Sequence, residues 1–425
     1  MPRYLVLGSG GREHALAWKL SGEPDADVIV APGNAGVAAT PHCRVVDVSL
    51  DDRAALVELA RREIVDLTVV GPEAPLCAGL ADRFEREGLP VFGPVQRAAE
   101  LEGSKAFAKE VMRAAGVPTA SHEVFEDLER ALEFAADAPH PLVVKADGLA
   151  GGKGVVICEN HQQSAATLRS FVAERRFGSA STRVVIEELL AGPELSFMVI
   201  TDGTRVVELP TSQDHKRVGD HDTGPNTGGM GAITPSPHET PELRRVIRES
   251  VVFPVLAELR RREIDYRGFL YAGLMLTPQG PKVLEFNVRL GDPETQALMM
   301  GIEGELGPLL LSAARGELPT DIVAVGGGPA CCIVLAAEGY PGKVRTGDPI
   351  QGLDRLDNPD VFVFHAGTAV DELGRYVTRG GRVLGVTGRG ATTAEARKRA
   401  YDAVEYIEWS GMHHRSDIGS SVLTE

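Results

Sequence analysis

Three polar residues that alternate along one strand-like segment could hold a metal ion beside an anion. Residues 283–290 read Val-Leu-Glu-Phe-Asn-Val-Arg-Leu. Because side chains alternate between the faces of a strand, Glu285, Asn287 and Arg289 are predicted to share one face. The buried face would carry Leu284, Phe286, Val288 and Leu290. Carboxylate and amide oxygens suit Mg²⁺, and a guanidinium can bind a carboxylate or phosphate through two hydrogen bonds, although a solvated amphipathic strand is the alternative.

A glycine-rich segment could cover a triphosphate. Residues 145–154 read Lys-Ala-Asp-Gly-Leu-Ala-Gly-Gly-Lys-Gly and follow an apolar run. A Walker loop would need glycine at position 147 and serine or threonine at position 154, and both positions differ here. We therefore predict a mobile hairpin over residues 148–154 that closes on bound nucleotide, with Lys145 at the phosphate oxygens. A plain hairpin with exposed lysines is less favoured, because a charge directly after buried valines needs a partner.

The first glycine-rich turn could bind a phosphate monoester. The sequence from Gly8 to His14 lies between a predicted strand and a predicted helix and includes Gly10 and Gly11. Backbone N–H groups at a helix start attract anions. A dinucleotide fingerprint is disfavoured, because Glu13 stands at the third glycine position and the second strand ends without an acidic ribose ligand. A tight turn without a ligand is the alternative.

A long polar loop is a candidate substrate-binding segment. Residues 211–231 are rich in glycine and include Asp214, Lys216 and His221. Loops of this length inside a compact domain are usually disordered or functional. The charged residues directly after a strand-like run favour function. His221 is given no role, because a lone loop histidine is seldom a ligand or base.

A strand that ends in two carboxylates could serve as a hinge beside a nucleotide. Glu187 and Glu188 end an apolar run, and a Gly-Pro turn precedes Glu194. Backbone groups near Glu188 and Leu189 could bond an adenine edge, and a carboxylate could bond ribose hydroxyls. A hinge without a ligand is the alternative.

The elements around these residues group into modules. Residues 1–95 alternate short apolar strands with helices, which predicts a parallel, doubly wound sheet. One helix is predicted over residues 97–115, closed by a glycine and a proline. Strands and helices mix again over residues 119–190, and longer antiparallel strands are predicted over residues 194–290. A last module follows a glycine-rich linker near residue 329.

Composition excludes several functions. The formal net charge is −16, which disfavours nucleic acid as a partner of the bulk surface. The longest apolar run, Ala330–Ala337, is too short to span a bilayer, and the first residues do not form a signal peptide. The five cysteines form no C-x-x-C pattern. We therefore expect reduced cysteines in a cytoplasmic protein with no membrane partner.

Taken together, these segments resemble the ATP-grasp superfamily and, within it, the phosphoribosylamine–glycine ligase family. The resemblance covers almost the whole chain, and the loop at 211–231 is its most specific part. The segments that carry it are Val6–His14, Gly71–Glu73, Gly103–Lys105, Lys145–Val155, Thr211–Gly231, Gly268–Gly273, Glu285–Arg289, Gly291–Gln296 and His414–Gly419.

The resemblance implies an ATP-grasp fold, preceded by a doubly wound parallel-sheet domain and followed by a small α+β domain. It implies domains at 1–103, 104–192, 193–325 and 326–425. The implied reaction joins glycine to 5-phosphoribosylamine with ATP and Mg²⁺ or Mn²⁺, in a cytoplasmic monomer. These small molecules would be its partners.

The resemblance also implies roles for single residues. Glu285 and Asn287 would bind the metal. The nucleotide would contact Lys105, Lys145, Gly151, Gly152, Glu187, Glu188, Leu189 and Glu194. The substrates would face Gly10, Gly11, Arg12, Asn34, Glu73, Asp214 and Arg289. Catalysis would rest on Arg289, Asp214 and Lys216.

Overall fold

The computed structural model describes residues 1–151, 153–320 and 324–420 of the chain. It begins with a parallel five-stranded sheet whose apolar strands are covered by helices on both faces. In spatial order its strands are Cys43–Val45, Asp27–Pro32, Arg3–Gly8, Leu67–Val70 and Val91–Phe92. Its helices are Gly11–Ser21, Arg53–Arg62, Glu73–Cys77, Leu80–Arg86 and Gln96–Gly103. The predicted doubly wound sheet is confirmed.

The helix predicted over residues 97–115 is broken at Ser104. The first helix ends at Gly103, and Lys105–Ala115 forms a second helix. Ser104 has an extended backbone (φ −140°, ψ 113°), and its hydroxyl accepts a hydrogen bond from the N–H of Phe107. The same hydroxyl donates to Asp147 at 3.0 Å. The prediction of one helix is therefore wrong, because capping and a tertiary hydrogen bond outweigh helix propensity at this position.

A small antiparallel module follows and has its own core. Its strands, in spatial order, are His122–Phe125, Val184–Glu188, Leu142–Ala146 and Val155–Cys158. Helices Leu128–Asp137 and His161–Leu168 pack on it, followed by a π-helical turn at Arg169–Ala173. Apolar residues of the strands and helices form a core separate from the others. This independence suits a module that moves as one piece.

A second antiparallel sheet packs against the first domain. Its strands, in spatial order, are Val206–Glu208, Glu194–Thr201, Gly268–Thr277 and Gly280–Asn287. Its helices are Pro241–Ile247, Phe253–Arg261, Glu294–Gly301 and Gly307–Arg315, and a π-helical turn at Arg248–Val252 joins the first two. The rings of Phe92 and Phe269 meet edge to face at 4.7 Å between centroids. Two core clusters combine residues of this sheet with residues of the parallel sheet.

The last strand of this sheet contains a β-bulge. The register shifts between the residues that pair with Val283 and Glu285, so Leu284 has no opposite residue. An extra residue moves the alternation of side chains by one position. Leu284 therefore lines a cleft, and its predicted place on the buried face is wrong. Phe286, Val288 and Leu290 are buried, as predicted.

The carboxy-terminal sheet borrows strands from the middle of the chain. In spatial order its strands are Gln213–Asp214, Gly231–Thr234, Ala330–Ala336, Arg382–Arg389 and Val361–His365. Two short hairpins, Arg217–Gly219 with Thr223–Asn226 and Thr368–Val370 with Tyr376–Thr378, and the helix Thr393–Val404 accompany it. Both ends of the predicted substrate loop are thus strands of this sheet.

The tip of the substrate loop is tied to the carboxy-terminal segment. The buried Arg415 pairs with Asp222 of the loop and with Asp417, both at 2.8 Å. Ser416 and its backbone N–H bond to Asp220. The loop is therefore ordered by a segment almost two hundred residues away, and its disorder is excluded.

The state of the cysteines and the length of the helices bear on two expectations of the sequence analysis. All five cysteines are free. Within the described ranges, no helix is both long and apolar enough to cross a bilayer.

Candidate active site

A cleft of about 510 Å³ gathers residues from all the modules. It lies where the end of strand Gly280–Asn287 meets the start of helix Lys105–Ala115 and the glycine-rich hairpin. Most of the predicted site residues line it. They are Arg12, Glu73, Lys105, Lys145, Gly151, Glu187, Glu188, Leu189, Glu194, Asp214, Lys216, Glu285, Asn287 and Arg289.

Four predicted residues are not placed in this cleft. Gly152 lies outside the described residues. Gly10 and Gly11 face protein atoms: the N–H of Gly10 donates to the Glu13 carboxylate at 2.7 Å, and a Cβ at Gly11 would meet Gln296 at 2.4 Å. The carboxylate of Glu13 thus occupies the position that an anion was expected to take.

The amide of Asn34 also serves the protein. Its Nδ2 donates to the carbonyl oxygens of Ser9 at 3.0 Å and His365 at 2.7 Å, and its Oδ1 accepts from the N–H groups of Gly36 and Val37. Asn34 therefore fixes the first glycine turn against the carboxy-terminal module. Its contact with substrate stays a prediction.

Glu285 is held ionised in the cleft. Burial alone would raise the pKa of its carboxyl, but the nearby cations Lys216, Lys145 and Lys105 outweigh burial and lower that pKa. Asn287 ends the same strand and lines the same cleft. One carboxylate and one amide oxygen fit Mg²⁺, which usually takes few protein ligands and completes its shell with water and phosphate oxygens. No group of three or more His, Cys, Asp or Glu residues suited to a metal occurs in the described part of the chain.

Two of the cleft lysines share one buried carboxylate. The Nζ of Lys145 lies 2.9 Å from one oxygen of Glu187, and the Nζ of Lys109 lies 3.0 Å from the other. Lys145 also donates to the carbonyl of Leu284 at 3.1 Å. Lys105, at the start of its helix, reaches the carbonyl of Gly148 in the glycine-rich hairpin at 3.3 Å. The lysines therefore connect the glycine-rich hairpin, strand Val184–Glu188 and strand Gly280–Asn287.

Asp214 and Lys216 face the cleft from the substrate loop. Lys216 pairs with Glu194 at 2.6 Å. Burial would lower the pKa of Lys216, but Glu194, Glu285 and Asp214 raise it well above its ordinary value. Burial raises the pKa of Asp214, and Glu294 adds to this. The Oδ1 of Asp214 is buried and has no hydrogen-bond partner among the described residues.

Arg289 is engaged by two acids of the first domain. Its Nε donates to Glu73 at 3.1 Å, and a terminal nitrogen donates to Glu102 at 2.6 Å. The second oxygen of Glu102 accepts from the N–H of Val288 at 2.8 Å. Burial raises the pKa of Glu102 to about 7, against the opposing effect of Arg289. The predicted guanidinium is therefore in the cleft, but it is held there by protein carboxylates.

Lys109, Glu102 and Arg382 are among the cleft residues that the sequence analysis did not assign. Lys109 carried a signal, because it stands four residues after Lys105 and so shares its helix face. Glu102 carried none, since its partner lies 187 residues away. Arg382 comes from the carboxy-terminal module and donates to the carbonyls of Gly228 and Asp292, both at 2.6 Å.

The fold and the cleft define the class of protein. Two antiparallel sheets enclose a cleft under a glycine-rich hairpin, with lysines on one side and an acid–amide pair on the other, and this is an ATP-grasp ligase. Family models of phosphoribosylglycinamide synthetase match the N domain at residues 2–102, the ATP-grasp domain at 103–295 and the C domain at 330–421. The chain belongs to the phosphoribosylglycinamide synthetase family.

Individual relatives agree with this assignment. The phosphoribosylamine–glycine ligase of Allochromatium vinosum is 50% identical over 423 residues, which cover 99% of each chain. That of Vibrio vulnificus is 48% identical over 98% of this chain and 97% of the relative. The crystal structure of the Thermotoga maritima phosphoribosylamine–glycine ligase has a TM-score of 0.83 at 36% identity, over 98% of this chain and 100% of that chain. The predicted family and the carbon–nitrogen ligase class are confirmed.

A more distant likeness concerns the fold alone. A biotin carboxylase of Campylobacter jejuni has a TM-score of 0.76 at 15% identity.

Proposed function

We propose that the chain joins glycine to 5-phosphoribosylamine, with ATP, and releases glycinamide ribonucleotide, ADP and phosphate. Full-length similarity to ligases named for these substrates supports the proposal. The observation that carries it is the environment of Glu285, an ionised carboxylate that faces the lysines of the hairpin side in one cleft. Such a site suits transfer of a phosphoryl group, because it brings a metal ligand and phosphate-binding cations together.

The nucleotide would lie between the small antiparallel module and strand Gly280–Asn287, which carries the proposed metal ligands. Glu187, Glu188 and Leu189 would hold the adenine, and Glu194 would bond the ribose. Lys105 and Lys145 would meet the phosphates, and the hairpin around Gly151 and Gly152 would cover them. The positions of the described members of this set in one cleft support this arrangement.

Glu285 and Asn287 would hold Mg²⁺ or Mn²⁺ between the protein and the phosphate oxygens. The ionised state of Glu285 and the oxygen donors of the pair fit such an ion. When bound, the ion would neutralise charge that develops on the transferred phosphoryl group.

The chain must make the glycine carboxylate reactive. Transfer of the γ-phosphoryl group to a carboxylate oxygen breaks the bond to ADP and forms glycyl phosphate. The amine of 5-phosphoribosylamine then attacks the carbonyl carbon, loses a proton, and phosphate departs. Closure of the hairpin would keep water away from the acyl phosphate.

Asp214, Lys216 and Arg289 would position the substrates. Asp214 lines the cleft, and its carboxyl group would accept from the ammonium group of glycine. Lys216 faces Glu285 and would add positive charge where the carboxylate and phosphoryl groups meet. Arg289, with Arg12 and Glu73, lies on the side of the cleft built by the first domain and would meet the ribosyl phosphate or the glycine carboxylate. Gly10, Gly11 and Asn34 would support that side.

Location and assembly complete the proposal. A cytoplasmic location agrees with five free cysteines. The chain would act as a monomer, as the family resemblance implies. Size-exclusion chromatography with light scattering tests the monomer, and a dimer mass would reject it.

Release of ADP tests the proposed reaction. Purified protein is mixed with ATP, Mg²⁺, glycine and phosphoribosylamine generated in situ, and each component is omitted in turn. ADP release that requires all of them supports the proposal. Release of ADP without glycine rejects the proposal. Binding of ATP with no release of ADP also rejects it and would leave a nucleotide sensor. ATP with Mg²⁺ should also raise the melting temperature, whereas NAD should not.

A further inference from the structure

Glu187 is a buried anion between two buried cations. Its side chain is 2% exposed, that of Lys109 3% and that of Lys145 7%. The two lysines approach different oxygens of the carboxylate, at 3.0 and 2.9 Å. Either lysine alone could balance the charge of this carboxylate.

The two lysines differ in their other contacts. Lys109 donates to the hydroxyl of Thr119 at 2.7 Å, and that hydroxyl donates to the carbonyl of Val283 at 2.6 Å. Lys109 is thus anchored between its own helix and Val283, in the middle of strand Gly280–Asn287. The second contact of Lys145 is the carbonyl of Leu284, at the β-bulge that faces the cleft. Lys145 is the member of the pair that can turn toward a ligand in the cleft.

Movement of Lys145 alone would leave a problem of charge. A lysine that binds a triphosphate must leave its carboxylate partner, and an ionised carboxylate buried without a partner is strongly unfavourable. With Lys109 in place, Glu187 keeps one cation, 3.0 Å from one of its oxygens. Without Lys109, Lys145 would be retained by Glu187.

We propose that Lys109 is a positioning residue of the nucleotide site, which holds the charge of Glu187 and so releases Lys145 to the triphosphate. This inference rests on the proposed function, because it takes Lys145 as a ligand of ATP. It adds a residue that acts through another residue and does not touch the nucleotide. A neutral acceptor would be enough to bind an adenine amino group. The contact with Lys109 therefore explains why a carboxylate stands at position 187.

A charge-balance experiment tests the proposal. The variants are Lys109→Met, Lys109→Arg, Glu187→Gln and the double variant Lys109→Met/Glu187→Gln. Calorimetry measures the Kd of ATP with Mg²⁺, and ADP release gives the KM values for ATP and glycine. Lys109→Met should weaken ATP binding roughly tenfold or more, with the KM for glycine changed less than about twofold. Lys109→Arg, which keeps the charge, should remain closer to the wild type.

The double variant separates positioning from general damage. In the Glu187→Gln background no anion retains Lys145, so loss of Lys109 should change the Kd of ATP by less than about twofold. Unchanged ATP binding in Lys109→Met, or a large loss in the double variant relative to Glu187→Gln, would overturn the proposal. If Lys109→Met does not fold, Lys109→Gln takes its place in both comparisons.

Lys145→Met separates this inference from the proposed function. If Lys145→Met binds ATP as tightly as the wild type, the assignment of Lys145 to the nucleotide is wrong. If Lys145→Met weakens binding and Lys109→Met does not, only the inference on Lys109 fails.

Discussion

The charge state of Glu285 shows how a single residue depends on its neighbours. A buried carboxyl usually has a raised pKa, but the surrounding lysines reverse the effect of burial here. An ionised acid in a cleft that also holds a triphosphate would meet strong repulsion without a metal ion between them. The lowered pKa therefore leaves the carboxylate of Glu285 ionised, as the proposed metal site requires.

Replacement of Glu285 by Gln should disable the reaction. The substitution keeps the shape but removes the charge that binds the metal, so kcat should fall roughly 100-fold or more and the requirement for Mg²⁺ should rise. ADP release over a magnesium titration measures both. Glu242→Gln, which makes the same chemical change on an exposed helix, is the control. Turnover near that of the control at saturating Mg²⁺ would reject the role of Glu285.

The residues that sequence reasoning found and missed differ in how their contacts arise. Lys105, Lys145, Glu285 and Asn287 stand in local patterns that imply phosphate or metal binding. Glu102 and Arg382 act through contacts made only by the folded chain, 187 and 90 residues away in sequence. No spacing rule connects such pairs. Glu102 and Arg382 can be identified as cleft residues only when the packing of the modules is known.

At the scale of elements, the type and order of strands and helices were predictable, but their interruptions were not. Alternation and apolar runs give the strand Gly280–Asn287, whereas the bulge at Leu284 depends on the register with its partner strand. Likewise, helix propensity gives one helix near residue 104, whereas the break depends on Asp147. Both interruptions lie at the cleft, where local preference yields to the geometry of the site.

The glycine-rich hairpin should close on bound nucleotide. Lys153 is exposed, Gly151 has a left-handed backbone (φ +56°), and a Cβ at Gly151 would meet nothing within 4 Å, so this part of the hairpin is open to solvent. Trypsin should cut after Lys153, and ATP with Mg²⁺ should slow that cut roughly fivefold or more. Mass spectrometry of timed digests measures the rate, with NAD as the control ligand. Equal cleavage with and without ATP would count against closure.

At the scale of the whole molecule, the carboxy-terminal module helps to build the active site. Arg382 comes from that module and lines the cleft. It donates to the carbonyl of Gly228 in the loop at 211–231 and to the carbonyl of Asp292, which follows strand Gly280–Asn287. The two middle strands Gln213–Asp214 and Gly231–Thr234 are part of its sheet. The module therefore determines where Asp214 stands, and it does more than close the molecule.

Removal of the Arg382 guanidinium should affect the substrates more than ATP. Arg382→Met releases the loop beside Asp214, so the KM for glycine should rise roughly tenfold, while the Kd of ATP changes less than about twofold. Arg375→Met, at an exposed position of the same module, is the control. If both Arg382→Met constants match those of the control, the module does not position the substrate loop through this residue.

The contact between the first domain and the carboxy-terminal module contains two buried histidines. His14 accepts a hydrogen bond from the N–H of His365 at 2.8 Å and packs edge to face on Phe362 and Phe364. Its other ring nitrogen lies 2.9 Å from the hydroxyl of Thr40. Burial lowers the pKa of His14 to about 3 and that of His365 to about 4. Both rings are therefore neutral in the folded protein at neutral pH.

Acid should weaken this contact at a pH where most carboxyl groups are still ionised. In the unfolded chain both rings titrate near pH 6.5. In the folded chain His365 is protonated only near pH 4 and His14 only near pH 3, so the unfolded chain binds more protons between these values. The stability that neutral rings provide is complete above pH 6.5 and is lost as the pH falls through these values, by about 1.4 kcal/mol per pH unit for each histidine. The amide of His14→Gln can still accept a hydrogen bond from the N–H of His365. Between pH 6.5 and 5 its free energy of unfolding should fall less steeply than that of the wild type, with a difference between the two slopes of about 1 kcal/mol per pH unit. Urea denaturation at each pH measures the slopes, and identical slopes in the two proteins would show that His14 is not held neutral by this interface.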